Sequence, residues 1–215
     1  MSIAEQVQDL AATPSPLPPE IVAIFHREQA NLQGAQPHGV IAVGARLSDA
    51  ELLDPHGAQT TLRAALDGRM AVLVFYRGVW CPYCNIALRS YQAELLDALE
   101  QRDVVLIAVS PQAPDGSLSM QEKNELRFAV LSDPGNQLAR SAGIITAPLP
   151  EALGAQRQLG LELESVNADG TTALPMPCTL ILDGDLTVRW VDVHPDYTTR
   201  TESAEILGAL DALAQ

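Results

Sequence analysis

The run Ala71-Val-Leu-Val-Phe-Tyr-Arg-Gly-Val-Trp-Cys-Pro-Tyr-Cys84 limits what this chain can fold into more than any other stretch. Ala71 to Tyr76 are consecutive apolar residues, rich in β-branched and aromatic types, and such a run reads as a fully buried strand. A short Arg77-Gly78 turn follows, then Cys81 and Cys84 separated by Pro82 and Tyr83. Beyond them Leu88, Tyr91, Leu95 and Leu99 recur at three- and four-residue spacing, with Arg89, Glu94, Asp97 and Glu100 between, which predicts an amphipathic helix. A strand from the core of a sheet therefore delivers two thiols to the first turn of a helix.

That placement favours thiol chemistry. A helix N-terminus carries unsatisfied N–H groups and about half a positive charge, so it stabilises a thiolate. Cysteines so placed, above all in Cys-x-x-Cys, have pKa values lowered from ~8.5 into roughly the 3.5–7.5 range. Pro82 suits the first helical turn, where its absent N–H would have had no partner. Cys84 extends the apolar stripe backwards through Leu88 and Tyr91 and is expected to face the core. Cys81 precedes the stripe and is expected to be the accessible sulfur, so this geometry makes Cys81 the attacking and Cys84 the resolving thiol. A zinc site would use the same motif, but the usual second pair or His-x(3–5)-His is missing, leaving only Cys178 and one of the four histidines to complete it. Two inert buried thiols or a structural disulfide are the other readings.

At 215 residues the chain is long enough for a substantial core. Thirteen basic against 27 acidic residues give a net charge of −14, and no basic run is present. This argues against nucleic acid or an anionic membrane as a partner. Met1 to Leu10 lack a basic segment and a long apolar core, so they do not read as a secretory signal. No apolar run approaches the roughly 18 residues of a membrane span. Three cysteines, an odd number, do not suit a secreted disulfide framework, and a cytoplasmic location is expected.

In chain order, residues 1–36 read as a helical N-terminal extension broken by Pro14, Pro16, Pro18 and Pro19, with Ile21, Ile24, Phe25 and Leu32 at helical spacing in its second half. Residues 37–215 form the expected main domain. A strand lies within Arg46 to Leu53, a turn at Asp54-Pro-His-Gly57, and a short segment over Thr60 to Leu66. Val104 to Ser110 is a second buried strand, and Ser119-x-x-Glu122 has the spelling of a helix start. Phe128 to Leu131 is a third strand; Ser132-Asp-Pro-Gly offers caps for a helix over Asn136 to Ala142. Strands separated by helical segments predict an α/β fold with parallel pairing. Thr179 to Asp183 and Thr187 to Val193 then read as an antiparallel hairpin, and Ala204 to Leu213 as a closing helix. Residues 144–176 are the least regular, with a helix from Pro150 to about Leu159, and are placed to cover the active site or an interface.

With these residues in view, the sequence resembles the peroxiredoxin-like branch of the alkyl hydroperoxide reductase and thiol-specific antioxidant (AhpC/TSA) family over roughly Val40 to Leu213. The resemblance rests on Phe75 to Asn85, Leu131 to Gly135, Pro175 to Asp183 and Val193 to Tyr197. It implies a thioredoxin-like fold, a central mixed sheet flanked by helices. Pro177 then matches the cis-proline that lies against the cysteine pair, and also stands where the family usually has its catalytic arginine. Cys178 beside it either sits near Cys81 or is a small buried hydrophobe. Conventional members carry Pro-x-x-x-Thr-x-x-Cys; in that register Cys84 takes the peroxidatic place, Cys81 replaces the threonine and Arg77 the proline. The resemblance thus points to Cys84 as the attacking sulfur, against the stripe reading. Arg77 is either a cation for the thiolate or a solvated turn residue. Tyr197 and Arg200 fall on family positions without an assigned step. The Asp192-Val-His194-Pro-Asp196 cluster reads as a hydrogen-bonded loop rather than a metal site.

The expected function is a thiol-dependent peroxidase reducing hydrogen peroxide or organic hydroperoxides through Cys81 and Cys84. Arg77, Trp80 and Pro177 are the expected substrate-binding residues. No metal or cofactor is called for, a thioredoxin- or glutaredoxin-type protein is the expected reductant, and the resemblance implies a homodimer. The alternative is a thiol–disulfide oxidoreductase, which loss of the threonine and proline favours. A non-catalytic or zinc-bearing domain is the third reading.

Overall fold

Period-two alternation along the strands sorts the core onto two faces of one sheet, and only one face receives the thiols. The computed structural model describes residues 1–35 and 37–214. Gln36, at the expected boundary between extension and domain, and Gln215 lie outside them. Two helices come first, α1 (Ile3–Ala12) and α2 (Pro19–Leu32), separated by the expected proline break. A hairpin of β1 (Glu51–Leu53) and β2 (Gln59–Thr61) leads into α3 (Leu62–Leu66). β3 (Met70–Phe75) then delivers the cysteines to α4 (Pro82–Ser90), which continues through a π-turn at Tyr91–Leu95 into α5 (Leu96–Glu100).

The next units are β4 (Val104–Ser110), α6 (Pro114–Lys123), β5 (Ala129–Ser132) and α7 (Gln137–Ser141). The irregular region holds β6 (Ile145–Thr146), α8 (Pro150–Gln158), α9 (Leu163–Val166) and β7 (Leu174–Pro175). β8 (Cys178–Leu182), β9 (Val188–Val193) and α10 (Ser203–Leu213) complete the chain. The main sheet has the order β2-β1-β5-β4-β3-β8-β9, and β6 pairs with β7 separately. β3, β4 and β5 run parallel, whereas β8 is antiparallel to β3 and to β9. This mixed sheet flanked by helices is the thioredoxin-like arrangement that the resemblance implies.

Val72, Val74, Leu106, Ala108, Val130 and Ile181 face the helix that follows the cysteines, in one cluster with Leu88, Tyr91, Leu95 and Leu99. Ala71, Leu73, Phe75, Ile107, Val109 and Leu180 face the other way, towards residues of α3 and α7. The predicted stripe is therefore the packing face of the Cys helix. α1 joins that same side: Ile3 is buried in the cluster, and the Glu202 carboxylate accepts the Ile3 and Ala4 N–H groups at 2.9 and 2.8 Å. A carboxylate at a helix start both satisfies orphan donors and meets the positive end of the dipole.

One helix begins earlier than its spelling suggests. α6 starts at Pro114 rather than at Ser119, because proline at the first helical position is already set for the turn and needs no acceptor for a missing N–H. Ser119 and Glu122 fall inside that helix. The Asp133 carboxylate, in contrast, does accept the Gln137 and Leu138 N–H groups at the start of α7. Among the described residues no helix is long and apolar enough to cross a membrane.

Candidate active site

β3 ends in the core, and the chain must turn at once to start α4. The Tyr76 N–H still pairs with the Val109 carbonyl, extending the strand by one residue. Cys81 then caps α4 with an extended backbone, Pro82 opens the helix, and Cys84 lies in its first turn. Two buried amides brace the bend. The Asn85 amide donates to the Val79 and Cys81 carbonyls, both at 2.8 Å, and Gln112 Oε1 accepts the Val79 N–H at 2.6 Å. Asn124 in turn donates to Asn85 Oδ1 at 3.0 Å. Asn85 stood in the motif, but nothing in its local pattern marked it as the brace, and Gln112 is remote in sequence.

Gly78 is required by close approach. A Cβ there would lie 2.4 Å from Trp80 Nε1 and 2.9 Å from the Gln112 side-chain carboxamide. Gly78→Ala should therefore displace Gln112 from Val79 and destabilise the fold by about 1–3 kcal/mol, the usual range for overpacking. Urea unfolding of the two proteins checks this; an unchanged midpoint would mean that the bend has slack.

Both thiols are inside. Cys81 is 1% and Cys84 0% exposed, which corrects the expectation that Cys81 would be the accessible sulfur. The reason is packing: Cys81 caps a helix that sits within the core cluster, and Val79, Trp80 and Tyr83 pack against that cluster. The expectation for Cys84, core-facing on the stripe, is met. All three cysteines are free thiols. Cys178 belongs to the opposite face of the sheet, opposite Phe75 in the ladder, and burial pushes its thiol up. It is the small buried hydrophobe, not a third active-site sulfur.

The two neighbouring thiols are electrostatically unlike. Burial alone would raise Cys84, but four favourable contacts outweigh it and hold this thiol well below its ordinary value. They are a hydrogen bond from Cys81, the charge of Arg200, the Arg77 backbone N–H and the Arg77 guanidinium. Cys81 is pushed up, by burial first and then by donating to Cys84 and facing its charge. The two thiols are thus shifted in opposite directions, Cys84 down and Cys81 up.

Arg200 is the residue that reading the sequence placed without a role. It is buried, donates to the Tyr197 and Thr199 carbonyls at 2.6 Å each, and reaches Cys84 Sγ at 3.1 Å. So the arginine beside Cys84 comes from the loop before α10. That loop is fixed by the Asp192 carboxylate, which bonds His194 Nε2 at 2.9 Å and accepts the Thr201 hydroxyl at 2.8 Å. The hydroxyl of Tyr91, in the π-turn, donates to the Thr201 carbonyl at 2.7 Å. The acidic cluster is loop scaffolding. Among the described residues no group of three or more His, Cys, Asp or Glu side chains is arranged to hold a metal ion.

Arg77 is buried rather than solvated. Its guanidinium lies 4.0 Å from the centroid of the Tyr197 ring and 5.0 Å from that of Trp80. Arg77 also lines a cavity of about 190 Å³ together with Glu28, Leu149, Leu174, Pro177 and Tyr197. Pro177 is not preceded by a cis bond, since the described residues contain none. The Met176 N–H bonds to the Ile144 carbonyl at 2.7 Å and the His194 N–H to that of Pro177 at 2.8 Å, and these contacts tie the segment between its neighbours. The structure brings Cys81, Cys84, Arg77 and Trp80 together, and places Pro177 across the cavity that Arg77 borders. The irregular region supplies Thr146 to Leu149 and Leu174 to Pro177 to the same cavity.

A thiol held well below its ordinary value beside a buried arginine, with a second thiol close to it, can act as a nucleophile and then be resolved as a disulfide. Known proteins resemble the chain in family and in fold. The AhpC/TSA family model matches residues 43–191. A stretch of 80 residues is 35% identical to a putative Bcp peroxiredoxin of Haemophilus influenzae, covering 36% of this chain and 49% of that protein. Another of 101 residues is 29% identical to peroxiredoxin Bcp of Bacillus subtilis, covering 47% of this chain and 63% of the relative. The aligned stretches thus span about half to under two thirds of these relatives' lengths. Among solved structures, the fold is similar to peroxidoxin BcpB of Mycobacterium tuberculosis, with TM-score 0.61 and 19% identity over 80% of this chain and 98% of that one. It is also similar to a peroxiredoxin-like protein of Aquifex aeolicus, with TM-score 0.63 and 15% identity over 82% and 90% of the two chains.

Proposed function

The chain belongs to the AhpC/TSA family, and from that premise we propose that it is a thiol peroxidase in which Cys84 attacks and Cys81 resolves. The observation that carries this reading is the Arg200 guanidinium 3.1 Å from Cys84 Sγ, beside the thiol held well below its ordinary value. The Cys84 thiolate attacks one oxygen of a hydroperoxide, the O–O bond breaks, and Cys84 becomes a sulfenic acid. The departing alkoxide takes the proton that Cys81 carries, with Arg200 stabilising the charge as it develops. Cys81, now a thiolate, attacks the sulfenic sulfur, expels hydroxide and closes the Cys81–Cys84 disulfide. An external dithiol then returns two electrons and two protons.

Burial supports peroxide over a bulky disulfide as the oxidising substrate. With both sulfurs at 1% exposure or less, a two-oxygen head group can reach them, while a protein disulfide requires the bend to open first. We take Arg77, Trp80 and Pro177 as the substrate's approach, since Arg77 connects the cavity to both sulfurs. The reductant we propose is a thioredoxin- or glutaredoxin-type dithiol, the working unit a homodimer, as the resemblance implies, and the location the cytoplasm, which suits three free thiols. Residues 1–36 are read as an extension on a main domain of residues 37–215.

Stopped-flow oxidation of the reduced protein by hydrogen peroxide, followed by intact mass, tests the proposal. Rapid loss of two hydrogens' mass, mapped to Cys81–Cys84, is expected. Slow reaction with peroxide but fast exchange with a small-molecule disulfide would replace it with a thiol–disulfide oxidoreductase.

A further inference from the structure

Glu28 is buried on α2, far in sequence from the thiols, yet it borders the cavity beside Arg77. A buried carboxylate is costly unless its oxygens find donors. Here Oε1 accepts the Leu149 N–H and Oε2 the Tyr197 hydroxyl, each at 3.0 Å. The second bond matters for chemistry. A phenol that donates to a carboxylate gains electron density on its ring, and the face of that ring carries the Arg77 guanidinium at 4.0 Å. Cation–π attraction grows with the negative charge on the ring face. Arg77 in turn acts on both sulfurs through its charge.

We propose that Glu28 is a positioning residue for the thiol pair: through the Tyr197 hydroxyl, its carboxylate holds the Arg77 guanidinium at the cysteines. The N-terminal helix is then part of the active site's support. This rests on Cys84 being the reactive thiolate, as proposed above. A glutamine at position 28 would keep the size and one acceptor, but its amide N–H would face the Tyr197 oxygen and reverse the polarity of that bond. The ring would lose density and Arg77 its hold.

The test is alkylation of the reduced chain by iodoacetamide across pH, with each modified cysteine identified by peptide mass. The charged and titratable groups facing Cys84 are Cys81, Arg77, Arg200 and Tyr76. Glu28→Gln and Tyr197→Phe substitute none of these four. Each is expected to move the Cys84 midpoint up by about half a pH unit, roughly a threefold loss of thiolate below the midpoint. Should either single variant fail to fold, the pair Glu28→Gln/Tyr197→Phe removes the buried carboxylate together with the hydroxyl that donates to it and carries the same expectation. An unmoved Cys84 midpoint, with or without lowered thermal stability, overturns the role of Glu28. Low-pH reactivity at Cys81 instead overturns the assignment of the thiolate on which the role rests.

Discussion

Cys84→Ser is expected to abolish peroxide reduction, by roughly 10³-fold or more, because a serine hydroxyl in its place is neither ionised nor oxidised. Cys81→Ser should behave differently. Serine can still donate a hydrogen bond to the Cys84 sulfur, so the first oxidation is expected to stay within about tenfold of the native rate. With no second thiol to close the disulfide, the product should stop at a mass gain of one oxygen on Cys84. Single-turnover oxidation by hydrogen peroxide with intact-mass readout separates the two variants. Fast oxidation of Cys84→Ser with a sulfenic acid on Cys81 would return the attacking role to Cys81. This assignment reverses the one drawn from the apolar stripe. The stripe put Cys84 towards the core, and its burial agrees; the proposal parts from that reading in giving the attack to the buried thiol. A buried thiol is inert when nothing compensates its charge, but Cys84 is met by one thiol and two guanidinium groups.

The fold was legible because it follows from local pattern. The apolar run of β3, the helical stripe behind the cysteines and the alternation of β8 and β9 each decide a face, and together they leave little freedom in the sheet. The start of α6 shows where spelling misleads: Ser119-x-x-Glu122 offers a cap, but Pro114 nucleates the helix five residues earlier. The site was half legible. Cys81, Cys84, Arg77 and Trp80 share one turn of chain, so the motif kept them together. Arg200 and Tyr197, Gln112, and Glu28 reach that turn from three other segments. Their roles arise from tertiary approach, and a lone arginine after Tyr197-Thr-Thr carries no signal of its own.

On the proposed assignment, the same geometry bears on the missing threonine and proline. In the family register Cys81 stands where the threonine would be. On the proposed assignment its thiol is one of the groups that hold Cys84 down, so the position keeps a donor beside the proposed nucleophile. Arg77, in place of the proline, contributes its backbone N–H and its side-chain charge to the same sulfur and closes over the turn between Trp80 and Tyr197. We propose that shielding and polarisation are supplied here by these groups in place of the threonine and proline.

Arg200 then becomes the most informative single substitution outside the thiols. Arg200→Met removes the guanidinium that donates to Cys84 at 3.1 Å and leaves burial to act on that thiol with less opposition. The sign follows directly. A depressed pKa keeps the nucleophile ionised below the ordinary thiol value of ~8.5, and weakening the cause moves the acid limb of the rate profile up in pH. At pH 7 the thiolate fraction falls, and the charge that would meet the developing alkoxide falls with it. The two losses together are expected to slow peroxide reaction by about 10²–10³-fold, the scale found when one preorganised donor is removed from a reacting centre. Arg200→Lys keeps a charge but not the fork that also bonds the Tyr197 and Thr199 carbonyls, so an intermediate loss is expected. Stopped-flow rates between pH 5 and 9 distinguish the outcomes. A uniform drop with an unmoved acid limb would confine Arg200 to the bond-breaking step; an unchanged rate would remove it from the chemistry and leave Arg77 as the cation that matters.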